Sequence, residues 1–192
     1  MIEKFTLEQK EELKAIKERA SKLHESVNQT YEGKPYSHHL CMVAETMDRH
    51  IEELDNPSYE LYRVLYFASM FHDSIEDARL TYNDVYKIAL EYMNLDDAAW
   101  ATEIVYALTN EKGRTRKERA NEKYYKGIRD TPHAPFIKIC DRIANMKHSK
   151  EVGNRIFHTY KKELPEFLNS IYDERTPQGI LDELKSLVSD DD

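Results

Sequence analysis

Phe71-His72-Asp73-Ser74-Ile75-Glu76-Asp77 is the stretch on which the reading of this chain turns, and the run ahead of it, Val64-Leu65-Tyr66-Phe67-Ala68-Ser69-Met70, supplies its context. A run apolar on every side reads as a buried helix. Such a helix carries the His-Asp doublet into the interior, where imidazole and carboxylate need partners. If the helix continues through the acidic residues, side chains four apart share a face, so His72 is expected over Glu76 and Asp73 over Asp77. Asp73, Glu76 and Asp77 would repel one another strongly at low dielectric unless a cation lay among them.

Helical periodicity extends outward from this point in both directions, and only 5 Gly and 6 Pro interrupt it. The pattern predicts helices over about Leu7–Asn28 with Thr6 as N-cap, then, after a loop over Tyr31–Tyr36, about Ser37–Leu54 with Ser37 as cap. A turn at Asn56-Pro57 leads to a helix over about Tyr59–Asp77, followed by Tyr82–Met93 and Asp96–Leu108. Beyond a basic loop come Lys117–Ile128, Ala134–Lys150, Thr159–Ile171 and Gln178–Val188. With no repeat or linker in view, residues 1–192 read as one all-α domain, a helical bundle, and Ser189-Asp190-Asp191-Asp192 as a fraying acidic end.

At 192 residues with 40 % hydrophobic content, the chain is long enough to bury a sizeable core. A net charge of −8 argues against general affinity for nucleic acid or anionic membrane. Met1-Ile2-Glu3-Lys4-Phe5-Thr6 leads straight into a charged amphipathic pattern, unlike a signal peptide, and no apolar run approaches membrane-spanning length. The expected compartment is the cytoplasm. Cys41 and Cys140 lie in apolar helical patterns and read as small core residues rather than a disulfide.

Four positions stand out as candidate metal ligands: His39, His72, Asp73 and Asp141, the last directly after Phe136-Ile137-Lys138-Ile139-Cys140. Mixed imidazole and carboxylate donors suit Mn²⁺, Fe²⁺, Zn²⁺ and related ions more than Ca²⁺.

The order Tyr36-Ser37-His38-His39, then Phe71-His72-Asp73-Ser74-Ile75-Glu76-Asp77, then Lys138-Ile139-Cys140-Asp141-Arg142-Ile143-Ala144-Asn145 resembles the HD phosphohydrolase superfamily. Within it, the sequence is most similar to the hydrolase domain of the RelA/SpoT-type alarmone enzymes and their small single-domain relatives. The likeness covers roughly residues 20 to 150 and takes in His24, Gly33, Pro35 and Tyr36, with the C-terminal helices at about 155–188 lying beyond it. It implies that His39, His72, Asp73 and Asp141 hold one divalent ion, manganese in the relatives, with Fe²⁺, Co²⁺, Ni²⁺, Zn²⁺ or Mg²⁺ as alternatives. It assigns Glu76 and Asp77 to catalysis and Asn145 to the substrate. The chemistry is coherent, because a divalent ion acidifies water and neutralises phosphoryl oxygens while nearby carboxylates handle the proton.

Lys112, Arg114, Arg116, Lys117 and Arg119 put five cations into eight positions of an otherwise acidic chain. Guanidinium and ammonium groups match phosphate oxygens, so Lys112, Arg114, Arg116 and Arg119 are candidate substrate contacts. Tyr160 is a candidate to stack on a base, whereas His24, His38, His50, His133, His148 and His158 read as packing or surface residues. Two departures from the relatives concern substrate. Asn28-Gln29-Thr30-Tyr31-Glu32 stands where alarmone hydrolases usually carry basic residues, and Asn110 where they often carry an acidic one. The expectation is a nucleotide phosphohydrolase, specifically a 3′-pyrophosphohydrolase of guanosine tetra- or pentaphosphate, with a small-molecule substrate and room for homo-oligomerisation. The stretch after residue 150 leaves no space for a synthetase domain, so an alarmone role would be degradative. The alternatives are hydrolysis of another nucleotide and a catalytically silent nucleotide-binding module.

Overall fold

The segments that are apolar on all sides become the centre of the molecule. In the computed structural model, which describes residues 2–189, helix α3 (Tyr59–Phe71) is capped by the Ser58 side chain and buries every residue from Val64 to Phe71. Phe67 and Phe71 stack with ring centroids 4.3 Å apart. Helix α8 (Ala134–Glu151) is similarly buried and opens with Pro135 in its first turn, where a missing N–H costs little. Helix α2 (Ser37–His50) packs against both, and α5 (Leu95–Leu108) covers the far side of α3 and touches α8.

The remaining helices wrap this centre. Helix α1 (Leu7–Ser26), held at its start by a Thr6–Gln9 capping box, lies on α2 and α3. Helix α4 (Tyr82–Ala89) lies on α5, and α7 (Glu122–Asp130) bridges α5, α8 and α9 (Ile156–Ile171). The last helix, α10 (Gln178–Ser189), packs on α8, and α6 (Arg116–Arg119) is a single turn within the basic segment. The architecture is all-α, as the periodicity predicts. No helix among the described residues is long and apolar enough to cross a membrane.

Several boundaries differ from the sequence reading, and one alters the site. Helix α3 stops at Phe71 rather than Asp77. Its ladder gives way to isolated turns, with Ser74 N–H bonded to Phe71 C=O, Asp77 N–H to Asp73 C=O and Leu80 N–H to Ser74 C=O. Asp73 is drawn to Tyr36 and His72 and Asp77 to Gln29, and Arg79, at φ 62°, then turns the chain away. His72 therefore does not lie over Glu76 on a helical face.

The loop after α1 closes as a small antiparallel hairpin, β1 (Thr30–Tyr31) with β2 (Lys34–Pro35). Glu32 and Gly33 both adopt positive φ, 49° and 83°, the backbone of a tight two-residue turn. Tyr36 is already in helical conformation, so Ser37 lies inside α2 and is not its cap, and α2 passes into a 3₁₀ turn over Ile51–Glu53. The fourth predicted helix ends at Ala89 rather than Met93. The expected Lys117–Ile128 helix is divided, because the Asn121 side chain caps a fresh start at Glu122. Cys140 is buried, Cys41 is partly so, and both are free thiols. The acidic residues 190–192 lie outside the described residues.

Candidate metal centre and cleft

Because α2, α3 and α8 pack on one another, three residues distant in sequence meet. His39 sits in the first turn of α2, His72 directly follows α3, and Asp141 lies midway along α8. Their polar atoms converge with that of Asp73. His39 Nε2 is 3.3 Å from His72 Nε2, 3.3 Å from Asp141 Oδ1 and 3.7 Å from Asp73 Oδ2. His72 Nε2 is 2.9 Å from Asp73 Oδ2 and 3.8 Å from Asp141 Oδ1. Adjacent ligands of one ion, each about 2.1 Å from it, stand about 3.0–3.4 Å apart, so this spacing suits a first-row divalent cation.

Orientation supports the same fit. His72 Nδ1 donates to the Ser69 carbonyl at 2.9 Å, which leaves the Nε2 lone pair facing the cluster. Tyr36 O–H donates to Asp73 Oδ2 at 2.5 Å. Asp141 is braced from two sides, by Lys138 Nζ at 3.0 Å from Oδ2 and Asn145 Nδ2 at 2.5 Å from Oδ1. Tyr31, on the hairpin, stacks on His39 with centroids 4.8 Å apart and donates to Asn145 Oδ1 at 3.0 Å.

Without a cation, a proton takes its place. Burial favours the neutral His72 imidazole, but Asp73, through charge and a hydrogen bond, then Asp141 and the Ser69 carbonyl, outweigh it and hold the group at about 9. Burial likewise opposes ionisation of Asp73 and Asp141. His72 nonetheless holds Asp73 below the usual carboxylate range, and Lys138 with the two imidazoles does the same for Asp141. Behind the cluster, His24 stacks on Tyr36 at 4.5 Å, and neither of its ring nitrogens has a hydrogen-bond partner among the described residues. Burial lowers its imidazole to about 4 despite the pull of Asp73.

The cluster opens on a cavity of about 440 Å³, within the range of roughly 300–1,000 Å³ usual for small ligands. His39, Asp73 and Asp141 line one part; Arg116, Arg142 and Tyr160 line another.

No protein-family profile matches this sequence, and no curated protein matches it. Among solved structures, the chain is similar to a metazoan ortholog of SpoT, described as hydrolysing ppGpp and playing a role in starvation responses. Identity is 17 %, the TM-score is 0.67, and the match covers 92 % of this chain and 93 % of that one. The fold is SpoT-like.

Within this SpoT-like frame, the sequence-predicted residues separate into groups. His39, His72 and Asp73 lie within ligand spacing of one another, and Asp141 approaches the two imidazoles at 3.3 and 3.8 Å. Glu76 is exposed and turned aside, taking hydrogen bonds from the Asn110 backbone N–H and, at 3.0 Å, from its side-chain amide. Asp77 stays near Asp73 and accepts from Gln29 Nε2 at 3.2 Å; burial and then the Asp73 charge raise its carboxyl above the ordinary range. Asn145 lies on the cavity wall with its amide engaged by Asp141 and Tyr31. Arg116, Arg119 and Tyr160 also line the cavity, whereas Lys112 and Arg114 are exposed and outside its wall.

Two wall residues escaped the sequence reading. Lys138 braces Asp141, and Arg142 is buried with its guanidinium over the rings of Phe167 and Tyr160 at 4.3 and 4.7 Å. A signal existed in the spacing of Lys138, Asp141 and Asn145, which share one helical face. His50 is bonded to Glu53 and Glu183, and His148 to Glu32.

Proposed function

We propose that this protein is a divalent-metal-dependent phosphohydrolase of a small nucleotide, acting as a 3′-pyrophosphohydrolase of guanosine tetra- or pentaphosphate. The observation that carries the reading is the convergence of His39, His72, Asp73 and Asp141 donor atoms beside a cavity walled by Arg116, Arg119 and Arg142. The solved protein of the same fold, described as hydrolysing ppGpp, supports the choice of substrate.

His39, His72, Asp73 and Asp141 would hold the ion, Mn²⁺ being the one the resemblance implies. When bound, a divalent ion supplies Lewis-acid activation of water and charge neutralisation at phosphorus. Water adds to the phosphorus nearest the 3′ oxygen, the bond between them breaks, and the products are a 3′-hydroxyl and pyrophosphate. Asp77, whose carboxyl is raised by burial and the Asp73 charge, takes the proton lost by water and passes it to the departing 3′ oxygen. Glu76, held by Asn110, is the second carboxylate that the resemblance assigns to catalysis. Arg116 and Arg119 hold the remaining phosphates, and the Tyr160 ring, which carries the Arg116 and Arg142 guanidiniums, backs them.

A second reading, hydrolysis of a different nucleotide, is favoured by Gln29. It occupies the stretch where relatives carry basic residues and is committed to Asp77. A panel of nucleotides with Mn²⁺, scored for phosphate against pyrophosphate, separates the two. The expected result is pyrophosphate from guanosine tetraphosphate with GDP as co-product. Single phosphates released from 5′-nucleotides, with the tetraphosphate untouched, would transfer the assignment to the second reading. Tight binding without turnover of any nucleotide would indicate a silent regulatory module.

A further inference from the structure

In the wall of the same cavity, two arginines share one aromatic ring and one carboxylate. The Arg116 and Arg142 guanidiniums lie 4.9 and 4.7 Å from the centroid of Tyr160. Glu163 Oε2 stands 3.2 Å from Arg116 Nη2 and 3.5 Å from Arg142 Nη1. These four side chains all line the same cavity. We infer that Arg116 and Arg142 form a second anion subsite for a phosphoryl group remote from the one hydrolysed, and that Glu163 is its internal, displaceable occupant.

The inference rests on the nucleotide reading of the cavity and adds how the cavity selects among nucleotides. Arg142 is 9 % exposed, and such a cation needs a close anion. The Glu163 contact is longer than an ordinary charge-assisted hydrogen bond and comes from a side chain 36 % exposed. One carboxylate oxygen is shared between two forks that each accept a bidentate partner. A phosphate brings three oxygens and more charge, so it satisfies both guanidiniums better, while Tyr160 keeps them preoriented. A ligand with a phosphoryl group only at the metal end leaves Glu163 in place. A nucleotide phosphorylated at both ends displaces it.

The test uses the full-length, Mn²⁺-loaded protein and two probes, guanosine and the hydrolysis-resistant α,β-methylene analogue of GDP, titrated calorimetrically. Glu163→Gln should tighten binding of the methylene analogue by about fivefold, the scale of one partly exposed ion pair, and leave guanosine unchanged. Arg116→Gln should weaken the analogue. For guanosine tetraphosphate turnover, Glu163→Gln should lower KM with kcat unchanged. Glu166→Gln removes the same charge from the same cavity wall, where Glu166 is a neighbour along α9, and should have a smaller effect. Unchanged or weakened analogue binding in Glu163→Gln, or an equal gain in Glu166→Gln, would overturn the inference. If the wild type hydrolyses no nucleotide yet Glu163→Gln still tightens the analogue, the subsite stands and the hydrolase reading falls.

Discussion

Glu76 and Asp77 are neighbours in sequence, yet their carboxylates serve different surroundings. Glu76 is exposed and gripped by Asn110, so its geometry is fixed while its charge remains solvated. Asp77 is half-buried and its carboxyl is raised, a group suited to exchanging a proton. Glu76→Gln and Asp77→Asn should therefore both keep Mn²⁺ content near wild type while lowering turnover by roughly 10²-fold. Metal analysis beside steady-state kinetics checks this, and full activity in both variants would remove them from the chemistry. His72→Ala differs in kind, since it deletes a donor atom at the point of convergence, and should lose metal and activity together. An acidic side chain in place of Asn110 could not donate to Glu76, so the departure from the relatives is coupled to how this chain holds its own carboxylate.

The hairpin between α1 and α2 is the element that brings Tyr31 onto His39 and Asn145, and its turn depends on Gly33. A Cβ at Gly33 meets nothing within 4 Å, but φ is +83°, so only backbone strain opposes a side chain there. Gly33→Ala should destabilise by about 1 kcal/mol, whereas Gly127→Ala, exposed inside α7 with equally open space, should stabilise by up to about 1 kcal/mol. Urea denaturation of both reads the opposite signs, and equal shifts would refute the argument. The contrast also explains what the sequence could convey. Helices α3 and α8 are legible because their apolar runs are long and local, whereas the candidate ligands beside them stand out only through the family resemblance. The two-residue strands are not legible, because a strand pair of that length has almost no pattern of its own. The end of α3 was missed for a related reason: periodicity continues through Glu76, while the chain is diverted by side chains answering to partners on α2 and the hairpin. Arg142 stayed hidden because its role depends on Tyr160 and Phe167, residues of α9 that no local pattern connects to it.

At the scale of the whole molecule, metal, protons and folding are one equilibrium, because His39, His72 and Asp141 reach the cluster only when three helices are packed. In metal-free protein, the folded His72 imidazole is held at about 9 against an ordinary 6.5. The folded state then binds a proton that the unfolded chain has released, so this stability is fully present below about 6.5 and is lost as pH rises through about 9. His24 works with the opposite sign. Its folded value of about 4 lies below 6.5, so the unfolded chain binds the extra proton, and that stability is present above 6.5 and lost as pH falls through about 4. Chelated protein should therefore be most stable near pH 6.5 and decline on both sides. Mn²⁺ acts most on the alkaline limb, because protons compete with it for the cluster as pH falls. A cation at the convergence point replaces the His72 proton, so the alkaline decline should disappear and the melting temperature should rise with metal concentration. His24→Phe, which keeps a ring against Tyr36, should flatten the acid limb and leave the alkaline one. Thermal melts from pH 4 to 9, with chelator and with Mn²⁺, read both limbs at once. A chelated protein with no alkaline decline, or one whose decline survives saturating Mn²⁺, would show that His72 does not carry the shared proton and would break the link drawn between this cluster and a bound ion.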